Sequence, residues 1–309
     1  MSAMRLRTMN ERDCSEVAEL ICVSTNYWYQ ARGGPVIFPA GPEATDIYFQ
    51  VYEAMDPGCG VVAENPGNGR LMGSCFFHPR PRHVSLGIMN VHPNYFGRGV
   101  ARALLQFIID YADQNDCRSL RLTQSAMNLD SFSLYTRAGF VPRCAYQDLL
   151  IHVPASGLPQ EAEGRMRVRP ATEADVPAMT ALEMEVSGIT REKDCRHTIA
   201  NREGIWEVLV IEGPDGIDGW MISVKHAAMN MLGPCVARTQ QQAASLIGQA
   251  LDRFRGGCAV FLVPVDSAQL VRQMYSWGAR NCELHFCQVR GDFQPFQGVN
   301  MPTFLPETG

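Results

Sequence analysis

Two stretches of this chain repeat one another, and an internal repeat constrains the architecture before any single residue does. "MRLRTMNERDCSEVAEL" at Met4 to Leu20 and "MRVRPATEADVPAMTAL" at Met166 to Leu182 share an alternating strand, a polar cap and a helix with apolar residues at helical spacing. Asn10 and Thr172 are the expected N-caps. Each is followed by Glu and then by Asp13 or Asp175 in the first turn, where a carboxylate suits the helix dipole. Each copy opens a domain. Between the copies "PASGLPQEAEG", from Pro154 to Gly164, is rich in Pro, Gly and Glu with little to bury, and reads as a linker. The expected division is a first domain over 1–154, a linker over 155–164 and a second domain over 165–309. A chain of 309 residues, 46% of them hydrophobic, can bury two cores of ordinary size.

Composition narrows the partners. A net charge of -5 argues against a general nucleic-acid binder, which would show a basic face to phosphates. The eleven cysteines include no CxxC pair and no Cys/His spacing of a zinc site, so no metal is expected and a reducing cytoplasm suits them. The opening Met1-Ser2-Ala3-Met4-Arg5 lacks the apolar core of a signal peptide, and no run is long and uncharged enough to span a membrane. A soluble protein with no membrane partner is expected.

The order of elements in the first copy predicts the sheet. After the first helix, residues Thr25 to Pro57 carry Tyr27, Trp28, Tyr29, Phe38, Tyr48, Phe49 and Tyr52, with a helix beginning near Glu43. "GVVAE" and "RLMGSCFF" are strands flanking the turn "NPGNG". A strand from about His83 to Val91 follows, then a helix from about Gly97 to Gln114 and the strand "SLRLTQ". A short helix near Asp130 to Arg137 stops at Gly139, and a last strand lies near "YQDLLIHV". The result is an α/β fold of the α+β kind: a mixed, mostly antiparallel sheet flanked by helices, with one strand-helix-strand crossover.

The crossover carries the most informative stretch, "VHPNYFGRGVARALLQF" from Val91 to Phe107. A P-loop needs a lysine after its second glycine, and none follows Gly97 or Gly99. A dinucleotide fingerprint needs a small third residue, where this chain has Arg102, and an antiparallel hairpin does not precede such a motif. An NAD(P)-dependent oxidoreductase is therefore the more distant alternative. What remains is a strand, a tight glycine loop and a helix start, whose free amides and positive helix end suit a pyrophosphate.

These residues resemble the GNAT superfamily of acyl-CoA-dependent N-acyltransferases. The family's loop reads Q/R-x-x-G-x-G/A after a "VxP" strand end. Here Asn94-Tyr95-Phe96-Gly97-Arg98-Gly99 follows Val91-His92-Pro93, with Asn94 departing from the usual Gln or Arg. Downstream, Asn128-x-x-Ser131-x-x-Leu134-Tyr135-x-x-x-Gly139-Phe140 is similar to a second family segment. The resemblance implies acetyl-CoA as co-substrate and direct attack by a primary amine, on a small molecule or a protein, in a ternary complex. It implies that amides of the Phe96, Gly97, Arg98, Gly99, Val100 and Ala101 loop hold the pyrophosphate and that Met89, Asn90 and Val91 pair with the pantetheine. An amide near Met89 or Val91 would polarise the thioester carbonyl. Asn128 and Ser131 would lie along the cofactor, and Tyr135 would protonate the departing thiolate. Arg98 and Arg102 read either as solvated charges or as partners of the 3′-phosphate. The general base is left open among Glu43, Asp46, Glu53, His78 and His83.

The second domain reads as a degenerate copy. Pro234 to Ala244 replaces the glycine loop without a glycine pair, and Met274 stands where the first copy has Tyr135, with Tyr275 one residue off register. Its expected role is to cover the acceptor side of the first domain or to form a homodimer surface. The alternative for the whole chain is a CoA-binding sensor or assembly protein without turnover.

Overall fold

The computed structural model describes residues 4–158, 166–214 and 216–309. Most of the expected linker, 159–164, falls outside them. In the first half β1 (Arg5–Thr8) leads through a short 3-10 turn to α1 (Cys14–Gln30) and α2 (Pro42–Met55). Then come β2 (Gly60–Glu64), β3 (Leu71–Pro79), β4 (Val84–Val91), α3 (Val100–Gln114), β5 (Ser119–Ser125), α4 (Leu129–Arg137) and β6 (Val141–His152). The second half repeats the order with β7 (Val168–Pro170), α5 (Val176–Ser187), α6 (Glu192–Ala200), β8 (Trp206–Gly213), β9 (Gly216–His226), β10 (Met229–Ala237), α7 (Gln240–Leu251), β11 (Cys258–Pro264), α8 (Ala268–Ser276) and β12 (Arg280–Gly291). A short β13 (Val299–Met301) is added after it. The sheet is mixed and mostly antiparallel, as the element order requires.

The repeat extends to side chains. Asn10 and Asp13 form a capping box, as do Thr172 and Asp175, so both expected caps satisfy backbone donors at the first turn. In each half an arginine of the first strand ties that turn to the second strand. Arg7 reaches Asp13 at 2.7 Å and Glu64 at 2.8 Å, and Arg169 reaches Asp175 at 2.8 Å and Glu212 at 2.6 Å.

The helices divide between the two faces of the sheet. On one face α1, α2, α5 and α6 cover a core shared by both halves, with Tyr48, Tyr52, Phe76, Trp220 and Leu262 in it. On the other face each half has its own core. Val100, Leu104, Leu105, Ile108 and Ala112 form the buried stripe of α3 over the first, and α7 and α8 cover the second.

The two halves exchange their last strands. The order across the sheet is β1-β2-β3-β4-β5-β12-β6-β11-β10-β9-β8-β7, so β12 separates β5 from β6, and β6 lies between β12 and β11. The junction is antiparallel throughout: His285 opposes Ser125 on one side and Tyr146 on the other. A buried ion network also joins the halves, with Arg80 held by Asp56 at 2.9 Å and by Asp194 at 2.5 Å.

Candidate active site

Strands β4 and β5 are parallel neighbours at Val84–Leu120 and Ser85–Arg121, and part beyond that point because α3 fills the crossover between them. The parting leaves the edge of β4 open at Met89, Asn90 and Val91, whose other edge pairs with Cys75, Ser74 and Gly73. The register slips between Cys75 and Phe77, so β4 bulges at Gly87 and Ile88. The bulge needs glycine for packing: a Cβ on Gly87 would lie 2.8 Å from His78 Nε2. The Asn90 side chain donates to Ser24 Oγ at 2.7 Å, fastening this edge to α1.

At the end of β4 the chain makes a 3-10 turn over Pro93–Tyr95 and reverses through two left-handed glycines, Gly97 at φ 73° and Gly99 at φ 79°. The first bond of α3 runs from the Ala103 amide to the Gly99 carbonyl at 3.0 Å. The amides of Val100, Ala101 and Arg102 therefore precede the ladder and face outward. A Cβ at Gly97 would meet nothing within 4 Å, and near Gly99 the closest atom is the Arg102 guanidinium at 3.7 Å. A cradle of outward amides with open space before it and an arginine beside it fits a pyrophosphate. The exposed Phe96 ring lies 6.0 Å from Tyr27, and Arg98 covers the Tyr95 ring at 5.4 Å.

Tyr135 projects from α4 into the core beneath α3 and is 7% exposed. Burial pushes its phenol far above the ordinary range, with the nearby thiol of Cys75 adding to the shift, so the proton stays on oxygen. Cys75 pairs in register with Met89, which ties Tyr135 to the open edge. Asn128 caps α4, accepting from the Ser131 amide at 3.1 Å. That bond occupies Asn128 Oδ1 and the Ser131 amide, leaving the Asn128 amide group and the Ser131 hydroxyl to meet a ligand.

The face under α1 and α2 lies across the sheet from the core under α3. Of the base candidates, Glu43 is exposed, Asp46 is half-exposed and Glu53 accepts from the Gly58 amide at 3.1 Å. His83 donates through Nε2 to the Thr308 carbonyl at 2.8 Å. His78 is fully buried, with Nδ1 on Asp56 at 2.8 Å and Nε2 unpartnered. Burial lowers its pKa despite the Asp56 carboxylate. For Asp56, burial alone would raise the carboxyl, but His78, Arg80 and Lys193 outweigh it and hold it well below the usual range. These two side chains belong to the network that joins the halves.

Sequence reasoning missed the acids that face this side. Asp148 of β6 and Glu283 and His285 of β12 place ligating atoms within 4.8 Å of one another at the strand junction. Tyr29 donates to Glu283 at 2.9 Å, and Ser125 bonds it as well. Burial and the charge of Glu283 raise Asp148 to about 7, and burial lowers His285 to about 4. A further acid, Glu307, comes from the 302–309 segment. None of the three acids has an Arg or Lys ion-pair partner among the described residues. No local motif marks them, since they meet only through the exchange of strands and the return of that segment.

The second half shows what the first leaves open. Aligning the bulges, Pro234 stands where Ile88 does and brings no N–H. Cys235, Val236 and Ala237, the counterparts of Met89, Asn90 and Val91, pair with Met301, Asn300 and Val299 of β13. The slot is filled by the chain itself. At the start of α7 the Thr239 and Gln242 side chains form a capping box that takes the Gln242 amide, the counterpart of the Arg102 amide that α3 leaves free. Met274 is fully buried, and Tyr275 points outward to bond Gln147.

A strand edge opened by a crossover leads into a nest of amides, and the same construction recurs in the second half with its strand edge covered. Residues 15–140 match the model of the acetyltransferase (GNAT) family. The fold aligns over 100% of this chain and 97% of a candidate acetyltransferase of Pyrococcus horikoshii (TM-score 0.79, 13% identity). A GCN5-related N-acetyltransferase of Sphaerobacter thermophilus aligns over 95% of this chain and 97% of its own (TM-score 0.65, 16% identity). A tandem GNAT protein of the clavulanic acid biosynthesis pathway aligns over 94% and 98% (TM-score 0.64, 14% identity). In sequence, 73 residues are 36% identical to the UPF0157 protein YqkA of Bacillus subtilis, or 24% of this chain and about a fifth of that relative's length (21%). No helix among the described residues is long and apolar enough to cross a membrane.

Proposed function

We propose that the first half transfers an acetyl group from acetyl-CoA to a primary amine, and that the second half serves as its support. The observation that carries this reading is the free edge of β4 running into the amide nest at Gly97 to Arg102, beside a second copy in which the same edge is covered by β13 and the glycine pair is absent. When acetyl-CoA is bound, it supplies the activated acyl group. Val100, Ala101 and Arg102 hold the pyrophosphate through their amides, and Met89 to Val91 receive the pantetheine as an added strand. A β4 amide near the bulge donates to the thioester oxygen as charge develops there. Tyr135, kept protonated by burial, gives a proton to the leaving sulfur.

The acceptor is a cationic amine. Asp148 and Glu283 put two carboxyls on its side of the sheet, both raised by burial, and an ammonium beside them would favour their ionised forms. The described cysteines are all free thiols, which supports a reducing compartment such as the cytoplasm.

Titration calorimetry with acetyl-CoA tests the reading, with NADH as control and Gly97→Val as the variant. A β-branched residue is strained at φ 73° and intrudes on the nest. One acetyl-CoA per chain, lost in the variant, is expected; tight binding of NADH instead would overturn it.

A further inference from the structure

The 302–309 segment crosses from the second half onto the acceptor face of the first and is fastened there at several points. Tyr52 donates through its hydroxyl to the Phe304 carbonyl at 3.3 Å, and His83 donates through Nε2 to the Thr308 carbonyl at 2.8 Å. The Phe304 ring packs on His285 at 4.9 Å. Leu305 and Thr308 have no exposed surface. Between these anchors lies Glu307. Its Oε2 is sealed from solvent and meets no hydrogen-bond partner, while the residue as a whole remains partly open.

A buried carboxyl oxygen without a donor is costly, and a fold that gives Asp13, Asp56, Asp175 and Asp194 their arginines leaves this one with none. We infer that Glu307 is the proton acceptor for the ammonium of the incoming amine, so that the second half of the chain completes the active site of the first. This rests on the acetyl-transfer reading above.

The surroundings suit the role. The titratable groups facing Glu307 are Tyr48 and Tyr52 from α2, Cys75 from β3 and Tyr135 from α4, each of which feels its charge. All are neutral at ordinary pH, and no cation competes for the carboxyl among the described residues. Burial holds the acid well above the usual carboxylate range, and an ammonium beside it draws it back into the ionised state. Tyr135 lies in the core under α3 on one face of the sheet, while Phe304 and Leu305, neighbours of Glu307 in the chain, pack in the core under α2 on the other.

The step balances. Glu307 takes one proton from the ammonium, and the free amine then attacks the thioester carbon. As the C–S bond breaks and the C–N bond is completed, the nitrogen releases a second proton. The thiolate receives one from Tyr135, which the released proton replaces. Glu307 returns its own proton to water, so ammonium and acetyl-CoA give amide, CoA and one proton.

The experiment compares the full chain with Glu307→Gln and Glu307→Ala, using acetyl-CoA and a series of primary amines from monoamine to polyamine. Calorimetry with acetyl-CoA is the separate readout. The inference expects the Gln variant to keep acetyl-CoA affinity within about twofold, to lose about 100-fold or more in kcat, and to lose the rise of kcat/KM with pH. Added formate should restore part of the turnover of the Ala variant. Turnover of the Gln variant within about threefold of the parent, with the same pH profile, overturns the inference and leaves acetyl transfer standing. A parent that binds acetyl-CoA but acetylates no amine overturns the acetyl-transfer reading, and this inference with it. If the Gln variant loses acetyl-CoA binding, the Ala variant decides: rescue by formate supports the role, while turnover without formate, or none with it in a folded protein, overturns it.

Discussion

Asp148 and Glu307 each keep a buried carboxyl oxygen without a partner, and a cost of that kind is measurable as stability. Asp148 titrates at about 7 in the folded chain against about 3.9 in an unfolded one. The unfolded state gives up this proton first, so the folded state loses stability as pH rises from about 4 to 7 and no more beyond. Asp148→Asn should therefore stabilise the protein by about 2–4 kcal/mol at pH 8 and by little at pH 4, read from urea denaturation at both. Tyr135→Phe should lower kcat by about 100-fold with acetyl-CoA affinity held. Tyr135 and the glycine loop were legible because both lie in short local patterns that a single element displays. Glu307 was not legible, since nothing near it in sequence indicates that its segment returns to the first half.

At the scale of elements, the position of the β4 bulge decides what the strand can do. Gly87 allows β4 to ride over His78, and Gly87→Ala should cost about 1–3 kcal/mol in urea denaturation with an unchanged m-value. The helix expected from about Gly97 begins at Val100, because the two left-handed glycines end the loop rather than enter the helix. Thr239 and Gln242 make a different choice in α7, where a side chain takes the third amide of the first turn. This contrast is local enough to be read from sequence as the loss of the glycine pair. The covering of β10 by β13 is not, since three residues of strand carry no pattern that names their partner.

For the whole molecule, the exchange of β6 and β12 makes the halves interdependent. A chain cut after residue 154 leaves β5 without β12 and β6 without either neighbour, and should lack native circular dichroism and acetyl-CoA binding. Arg80→Ala, which strands Asp56 and Asp194 at the junction, should cost about 3–5 kcal/mol in one cooperative transition. The sequence marked β6 as a strand near "YQDLLIHV" but could not say which neighbours it takes, because either pairing buries the same faces. The exchange also sets a clock for synthesis. Strand β5 must wait for β12 to leave the ribosome, and at roughly 5–20 residues per second that delay is on the order of ten to thirty seconds. Throughout that interval the nascent first half presents an unpaired edge, which makes it a client for the holding chaperones of the cell until the last strand arrives.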